Sequence, residues 1–540
     1  MVTRRGSWLR AAAAFLRYQY WIWRYDRLAR ADRTAIAARS TGLPSLRIVV
    51  RVDAASQRWV PATVRRLERQ LFTDWQAALS FDAACDPAWI DRIAGRAQRD
   101  SRIRIVPDRD LAAFCGTGWV LLIAGGALPR PHAVALLVMA AASAPNATMI
   151  HADEDRIGPL GLRHDPYFKP GYSPERARQT WYPGGCVLIR RGPGDLPPPR
   201  PDAISWLRGV AESRAPGDVI RVPVVLHHEA AERPAQPEPP PPVLDDAALP
   251  RISILIPTHD RLDLLKPCLE SIRAVTDYPR EKLEILVIDN RSADPAALAY
   301  LAAKAASGDI RLRRDGRPFN FSAINNDAAA DASGDLLVFL NNDTEIVDAA
   351  WLRRLAAYAM QDSVGAVGAK LVYPNGTVQH GGNILRPDGT TQHAHVGLPA
   401  RDAGYRGLAR LPHEVSGITG ACLAVRAALF REIGFDPRLR VAFNDTLFCL
   451  ELMARGYRNI YIGGEPVAIH HESMTRGRDD TPEKAKTYWA EAAYVRDRRP
   501  DLFADDPCYN PNLDLWHSYS LAFPPRRARP WRVAKEAPRG

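Results

Sequence analysis

In the second half of the chain, three short polar clusters close apolar runs, and these are the places where chemistry is expected. ISILIPTHD (252–260) ends on Pro257, Thr258 and Asp260, LEILVIDN (283–290) ends on Asp289-Asn290, and GDLLVFLNNDTEIV (334–347) breaks at Asn341-Asn342-Asp343. Each run has the length and apolar content of a buried strand, and in a parallel sheet ligands bind beyond the carboxyl ends of the strands. A lone Asp after a strand also suits a turn. Three polar ends on one sheet edge strengthen one another. Asp445 in VAFNDTLFCLELMARGYR (441–458) adds a carboxylate ahead of an amphipathic helix, either as a reactive group or as the helix cap. His470-His471 follow a short strand, as ligands or as structural residues.

The segments between these runs carry helical apolar spacing, as in RLDLLKPCLESIRAV (261–275). Strands alternating with helices predict an α/β fold with a mainly parallel sheet and helices on both faces. The first half repeats the pattern. LRIVVRVDA (46–54), WQAALSFD (75–82), GTGWVLLIAGGALP (116–129), GGCVLIRRG (184–192) and VVLHHE (224–229) parallel ISILIPTHD, LEILVIDN, GDLLVFLNNDTEIV, GACLAVRAA and VAIHHE. Asp82 is read at the place of Asp289, and the alignment sets Ile123-Ala124-Gly125 where Asn341-Asn342-Asp343 stand. Asp202 precedes His228 by the 26 residues that separate Asp445 from His471. The Pro-rich, acidic stretch PAQPEPPPPVLDDAALP (234–250) cannot pack a core and reads as a linker. The expected layout is a basic, aromatic helical segment (1–45), a first domain (46–233), the linker, a second domain (251–480) and a helical, basic tail (481–540).

A chain of 540 residues is too long for one core, and 46% hydrophobic with 25% charged residues is a globular composition. The formal charge of +11 sits at the ends: residues 1–39 hold nine Arg against two Asp, and residues 524–540 hold five Arg and one Lys against one Glu. WLRAAAAFLRYQYWIWRYDR (8–27) suits either an anionic membrane surface or an Arg-rich helix packing its aromatics on the body. No nucleic-acid recognition motif accompanies the charge, so no nucleic-acid partner is expected. Seven scattered Cys without a C-x-x-C pair argue against disulfides or structural zinc and for a reducing compartment. TRRGSWL is similar to a twin-arginine signal, but the apolar stretch after it is short and broken by Arg17. No run reaches the roughly 18 apolar residues of a membrane span. The expected location is cytoplasmic, with peripheral contact on the cytoplasmic face of the inner membrane.

ISILIPTHDR, LEILVIDNRS, FNFSAINNDAAADASGDLLVFLNNDTEI, VSGITGACLAVRAALFREIGFDPRLRVAFNDTLFCLELMARGYR and HHESMTRG run in one order across about 230 residues. In that order they resemble glycosyltransferase family 2, of GT-A fold, with a pattern similar to rhamnosyltransferase-like members that build bacterial surface polysaccharides. DPCYNPNLDLWHSYSLAFPPR (506–526) resembles the end of such chains, and HADEDRIGPLGLRHDPYFKPGYSPE (151–175) resembles their N-terminal glycosyltransferase domain.

The resemblance implies two tandem GT-A domains, the first degenerate. It also implies inverting transfer from a nucleotide-diphospho-sugar to a hydroxyl of a growing cell-surface polysaccharide or lipid-linked glycan. It carries Asp289, Pro257, Thr258 and Asp260 over as nucleotide contacts, with Ser322, Asn325 and Asn342 in the donor site. Asn341-x-Asp343 takes the D-x-D position, Asp343 binding Mg²⁺ or Mn²⁺ on the diphosphate, with His471 a further ligand and Arg476 near the diphosphate. Asp445 matches the catalytic base. Asn341 and Leu447 depart from the family pattern, which often has Asp at both places. The first half lacks both the metal position and the Asn-rich segment, which marks it as inactive. Two other readings stand beside this one: a catalytically dead carbohydrate-binding scaffold, and a sugar-nucleotide nucleotidyltransferase. The latter should carry a Gly-rich loop that IPTHDRLDLL lacks.

Overall fold

The central strands form where the apolar runs are long enough to be covered on both faces. The computed structural model describes residues 2–97, 99–158, 160–192, 207–210, 216–231, 240–471 and 481–532. The chain divides into two compact units, one of Met1–Glu238 with Tyr509–Asp514 and Ser520–Gly540, the other of Pro239–Cys508 with Leu515–Tyr519.

The first unit contains β1 (Leu46–Val52), β2 (Trp75–Phe81), β3 (Ile103–Ile105), β4 (Gly118–Ala124), β5 (Ala127–Pro129), β6 (Met149–Ile157), β7 (Arg163–Tyr167), β8 (Cys186–Arg191) and β9 (Val219–Glu229). They pair in the order β3-β2-β1-β4-β8-β6-β9-β5, with β7 on β6. The second unit's main sheet runs β12-β11-β10-β13-β21-β15-β22-β20. Its strands are β10 (Ile252–Thr258), β11 (Leu283–Asp289), β12 (Arg311–Arg314), β13 (Leu336–Leu340), β15 (Val364–Gly368), β20 (His413–Glu414), β21 (Cys422–Arg426) and β22 (Arg458–Tyr461). A smaller sheet joins β14 (Thr344–Ile346), β23 (Ala468–His470), β16 (Leu371–Val372) and β17 (Val378–His380), and β18 (Asn383–Leu385) pairs with β19 (Thr391–His393).

The directions repeat as well as the order. β1 is parallel to β2 and β4, as β10 is to β11 and β13, and β8 and β21 each run antiparallel to the next strand. The mixed α/β fold expected from the alternation of strands and helices is present in both units. Side chains alternate across each central strand. Ile252, Ile254, Ile256, Leu336, Val338 and Leu340 therefore enter one core, while Leu255, Leu337 and Phe339 enter the core on the opposite face. Burial on both faces is why these strands read as unbroken apolar runs.

Paired strands fix the repeat more closely than the sequence does. β4 and β8 pair Ile123 with Cys186, as β13 and β21 pair Leu340 with Cys422. Ala124-Gly125-Gly126, not Ile123-Ala124-Gly125, thus corresponds to Asn341-Asn342-Asp343. Likewise Val52 pairs with Phe81 where Thr258 pairs with Asp289, so Phe81 replaces Asp289 and Asp82 corresponds to Asn290. The Asp343 position is closed in the first unit: Gly126 has φ 87°, and a Cβ there would stand 2.5 Å from that of Ala231.

The helix Val2–Trp21 packs Tyr18 and Trp21 into the first unit, and Tyr18 donates to Asp155 Oδ2 at 2.6 Å. Asp26 lies buried against Arg130 at 2.6 Å, Arg163 at 2.7 Å and Arg527 at 2.9 Å, while Asp32 pairs with Arg532. Part of the basic C-terminal segment is thus neutralised internally. Burial alone would raise the Asp26 pKa, but the three guanidinium groups outweigh it and hold the carboxyl far below its usual range. That contribution is present above the carboxylate's unfolded pKa and is lost as the pH falls. Removing the charge leaves Arg130 and Arg527 without a carboxylate among the described residues, while Arg163 keeps Asp155 at 2.6 Å. Asp26→Asn is expected to lower unfolding stability by about 3–5 kcal/mol. Urea denaturation followed by near-ultraviolet circular dichroism measures it, and a loss below about 1 kcal/mol would show the network to be dispensable.

Candidate active site

β10 and β13 lie side by side and parallel, so Thr258 and Asn341 emerge at the same edge. β21 runs the other way and brings the turn Thr419-Gly420-Ala421 to that edge just before Cys422. Together they shape a cleft of about 310 Å³ lined by Pro257, Thr258, His259, Asn290, Asn341, Asn342, Asp343, Thr419, Gly420, Ala421, Asn444, Asp445 and His470. Phe319, Phe321, Ile324 and Val441 supply its apolar wall. Asn342 Nδ2 donates to Thr258 Oγ1 at 3.0 Å, which ties the two strand ends together.

Asp343 is buried, and its Oδ1 has no hydrogen-bond partner among the described residues. This oxygen lies 3.2 Å from His470 Nε2, which Asn341 Nδ2 approaches at 3.5 Å. An unsatisfied carboxylate oxygen facing an imidazole nitrogen is a donor pair suited to a divalent cation. The expected partner, His471, is turned away: its backbone N–H donates to Asp343 O at 2.9 Å, and its ring points toward Glu345 at 3.7 Å. Side chains alternate along an extended chain, so only one of two adjacent histidines can face the cleft. It is His470.

Asp445 is not the cap of its helix. Phe443, at φ 58°, precedes the helix Asn444–Ala454, and Asp445 stands inside its first turn. Its Oδ2 accepts from Gly420 N at 2.7 Å and its Oδ1 from Thr446 N at 2.6 Å. Burial pushes the carboxyl above its ordinary range, and these two N–H groups only partly offset the effect. Asn444 beside it leaves Nδ2 without a partner among the described residues.

Asp260, Asp289, Ser322 and Asn325 do not line the cleft. Asp289 is buried, accepts from Ser292 N at 3.0 Å and pairs with Arg314 at 3.1 Å. Asp260 Oδ1 accepts from Ala293 N at 2.7 Å and Asp294 N at 2.8 Å, bonds that lower its pKa and bind the β10 loop to the β11 loop. On the helix Phe321–Asp331, Ser322 donates to Leu439 O at 2.6 Å and Asn325 to Phe321 O at 2.8 Å. Polar side chains in a helix readily find nearby carbonyls, so Phe321 and Ile324 of that segment form the wall instead. Arg476 and Asp202 lie outside the described residues. Sequence reasoning named His470 beside His471 without separating them, and missed the Gly420 N–H and the aromatic wall; the phenylalanines of FNFSAINN and the glycines of VSGITGA were the available signals.

In the first unit the same region is filled. Gly184 corresponds to Gly420 in strand register. A Cβ there would stand 2.4 Å from Glu154 Oε2 and 2.6 Å from Lys169 Nζ. Lys169 binds Glu154 at 2.8 Å, and His227 Nε2 contacts both Glu154 and Glu229 at 3.0 Å. Glu154, His227 and Glu229 are close enough to share an ion. Burial pulls the His227 pKa down, but the two carboxylates outweigh that and hold it above the ordinary range. Lys169 and His227 thus face Glu154, and His227 also faces Glu229.

Residues 253–434 match the model for glycosyl transferase family 2, and this part of the chain is a family 2 glycosyltransferase domain. O-antigen biosynthesis protein RfbC of Myxococcus xanthus is 32% identical over 533 residues, which cover 88% of this chain and 41% of that protein. Uncharacterized protein y4gI of Sinorhizobium fredii is 28% identical over 575 residues, covering 93% and 61%. The chain thus spans less than two thirds of the length of these two relatives. Among solved structures, a mannosyltransferase of Pyrobaculum calidifontis in complex with GDP-Man and Mn²⁺ superposes with a TM-score of 0.33 at 20% identity, covering 49% of this chain and 75% of that one.

Proposed function

We propose that the second unit transfers a sugar from a nucleotide-diphospho-sugar to an acceptor hydroxyl, in one displacement that inverts the anomeric centre. The observation that carries this is the placement of Asp343 and Asp445 on one cleft, the first with a buried carboxylate oxygen that faces His470 and makes no hydrogen bond among the described residues, the second with a pKa raised by burial. Asp445 takes the proton of the acceptor hydroxyl as that oxygen bonds to the anomeric carbon. The bond from that carbon to the donor's phosphate oxygen breaks, and its electron pair leaves with the nucleoside diphosphate. The Gly420 N–H holds Asp445 in place, since its bond to Oδ2 leaves little freedom of rotation. Asp343 and His470 are the residues that would hold a divalent cation, which supplies charge neutralisation of the leaving diphosphate. Pro257, Thr258, Asn341 and Asn342 border the donor, Asp289 and Asp260 order the loops behind it, and the family resemblance alone assigns Arg476 a place near the diphosphate. Phe319, Phe321 and Ile324 exclude water.

The first unit has no working site in this reading, because Gly126 replaces Asp343 and the Lys169–Glu154 pair fills the space beneath Gly184. The name of the Myxococcus relative supports a role in polysaccharide biosynthesis. In this reading the acceptor is a surface glycan or lipid-linked glycan, and the location is the cytoplasmic face of the membrane. The test is to incubate the purified chain with a panel of sugar nucleotides, with Mg²⁺ or Mn²⁺ and with chelator. Cation-dependent release of nucleoside diphosphate is expected from at least one donor. Release of pyrophosphate would favour the nucleotidyltransferase, and release from none would favour the scaffold.

A further inference from the structure

The aromatic residues of the N-terminal segment divide between two faces. Tyr18 and Trp21 are buried, whereas Leu16, Tyr20 and Trp23 are 65%, 52% and 61% exposed. Spacings of four and three residues set these three on one side of the helix and the turn that extends it. Phe523, 38% exposed, enlarges the patch: its ring stacks on Tyr20 with centroids 6.1 Å apart, and Tyr20 lies 5.7 Å from Trp23. Exposed apolar residues scattered singly need no explanation, but a contiguous aromatic surface does.

Charge decides what covers it. Residues 1–27 contain six arginines and one acid. The acid, Asp26, is buried and bound to Arg130, Arg163 and Arg527, so it does not neutralise the outer face. Arg17 sits 5.6 Å from the Phe523 centroid, at the edge of the patch, and Arg24 is exposed beside Trp23. Among the described residues no helix is long and apolar enough to cross a membrane.

We propose that this face, Leu16, Tyr20, Trp23 and Phe523 rimmed by Arg17 and Arg24, docks on an anionic lipid bilayer, lying in the interface without spanning it. Amphipathic aromatic rings favour the headgroup level, and arginine favours acidic headgroups. The proposal does not depend on the catalytic reading, because none of its residues belongs to the cleft. The test is co-sedimentation of the full chain with phosphatidylglycerol/phosphatidylcholine vesicles and with phosphatidylcholine alone. Binding is expected only to the first, weakened at least tenfold in Leu16→Ser/Tyr20→Ser/Trp23→Ser and likewise in Arg17→Glu/Arg24→Glu, which keeps the aromatic face. Trp489→Ser, an exposed tryptophan of the second unit, should bind as the parent does. Equal binding to both vesicles, no binding to either, or unchanged binding of both multiple variants would overturn the proposal. So would a self-association, seen by sedimentation velocity, that the serine variant alone abolishes.

Discussion

Replacing Asp343 with alanine is expected to abolish cation-dependent donor binding. Mutating even an outer partner of a metal ligand typically weakens binding by about 10–100-fold, and loss of the carboxylate itself should exceed that. Asn341, on the same loop, cannot substitute, because a neutral carboxamide lacks the charge. The two histidines sharpen the prediction. His470→Gln should weaken binding in the same way, since its Nε2 faces Asp343 Oδ1 at 3.2 Å, whereas His471→Gln should leave it near normal. Calorimetry with the donor and Mn²⁺ should show one donor per chain. Two donors per chain would restore a working site to the first unit, and full binding in chelator would remove the metal from the second. A larger effect at His471 than at His470 would mean that the loop rearranges when a cation enters.

The strand ends could be read in advance because burial on both faces leaves a recognisable signature: an apolar run that stops at polar residues. Two things could not. Within GTGWVLLIAGGALP nothing marks the residue at which the strand stops, so the repeat was misaligned by one position until the pairing of Ile123 with Cys186 fixed it. The direction of a side chain within an adjacent pair was equally hidden. His470 and His471 have the same chemistry and differ only in which face they occupy, and that depends on the register of β23 against β14. Ser322 and Asn325 mislead for a different reason: they are short polar side chains whose nearest acceptors are the carbonyls of Leu439 and Phe321. The start of the helix Asn444–Ala454 was ambiguous because Asp445 is itself a good cap residue. Phe443, in a left-handed conformation that its type seldom adopts, settled the question. The N-terminal segment offered a choice between packed and exposed aromatics, and the structure contains both.

Asp445→Asn separates catalysis from architecture. The amide keeps an oxygen that can still accept from Gly420 N, so donor affinity and fold should survive. Turnover should fall by the ~10²–10⁴-fold typical of removing a positioned base. The wild-type rate should be lost as the pH falls through a value above the ordinary carboxylate range, because burial raises the pKa of this group. The variant should lack that limb. Stability should move the opposite way from activity. A carboxyl whose pKa is higher in the folded than in the unfolded state contributes most below its unfolded pKa, and that contribution is lost as the pH rises through the folded value. At neutral pH the wild type therefore carries the cost of a buried charge, which in Asp445→Asn offsets the loss of one acceptor, since the amide NH2 cannot accept from Thr446 N as Oδ1 does, and the variant should melt close to the parent. A variant that kept near-normal turnover while melting well below the parent would assign Asp445 to holding the Thr419–Ala421 turn, and the base would have to be sought elsewhere along the cleft.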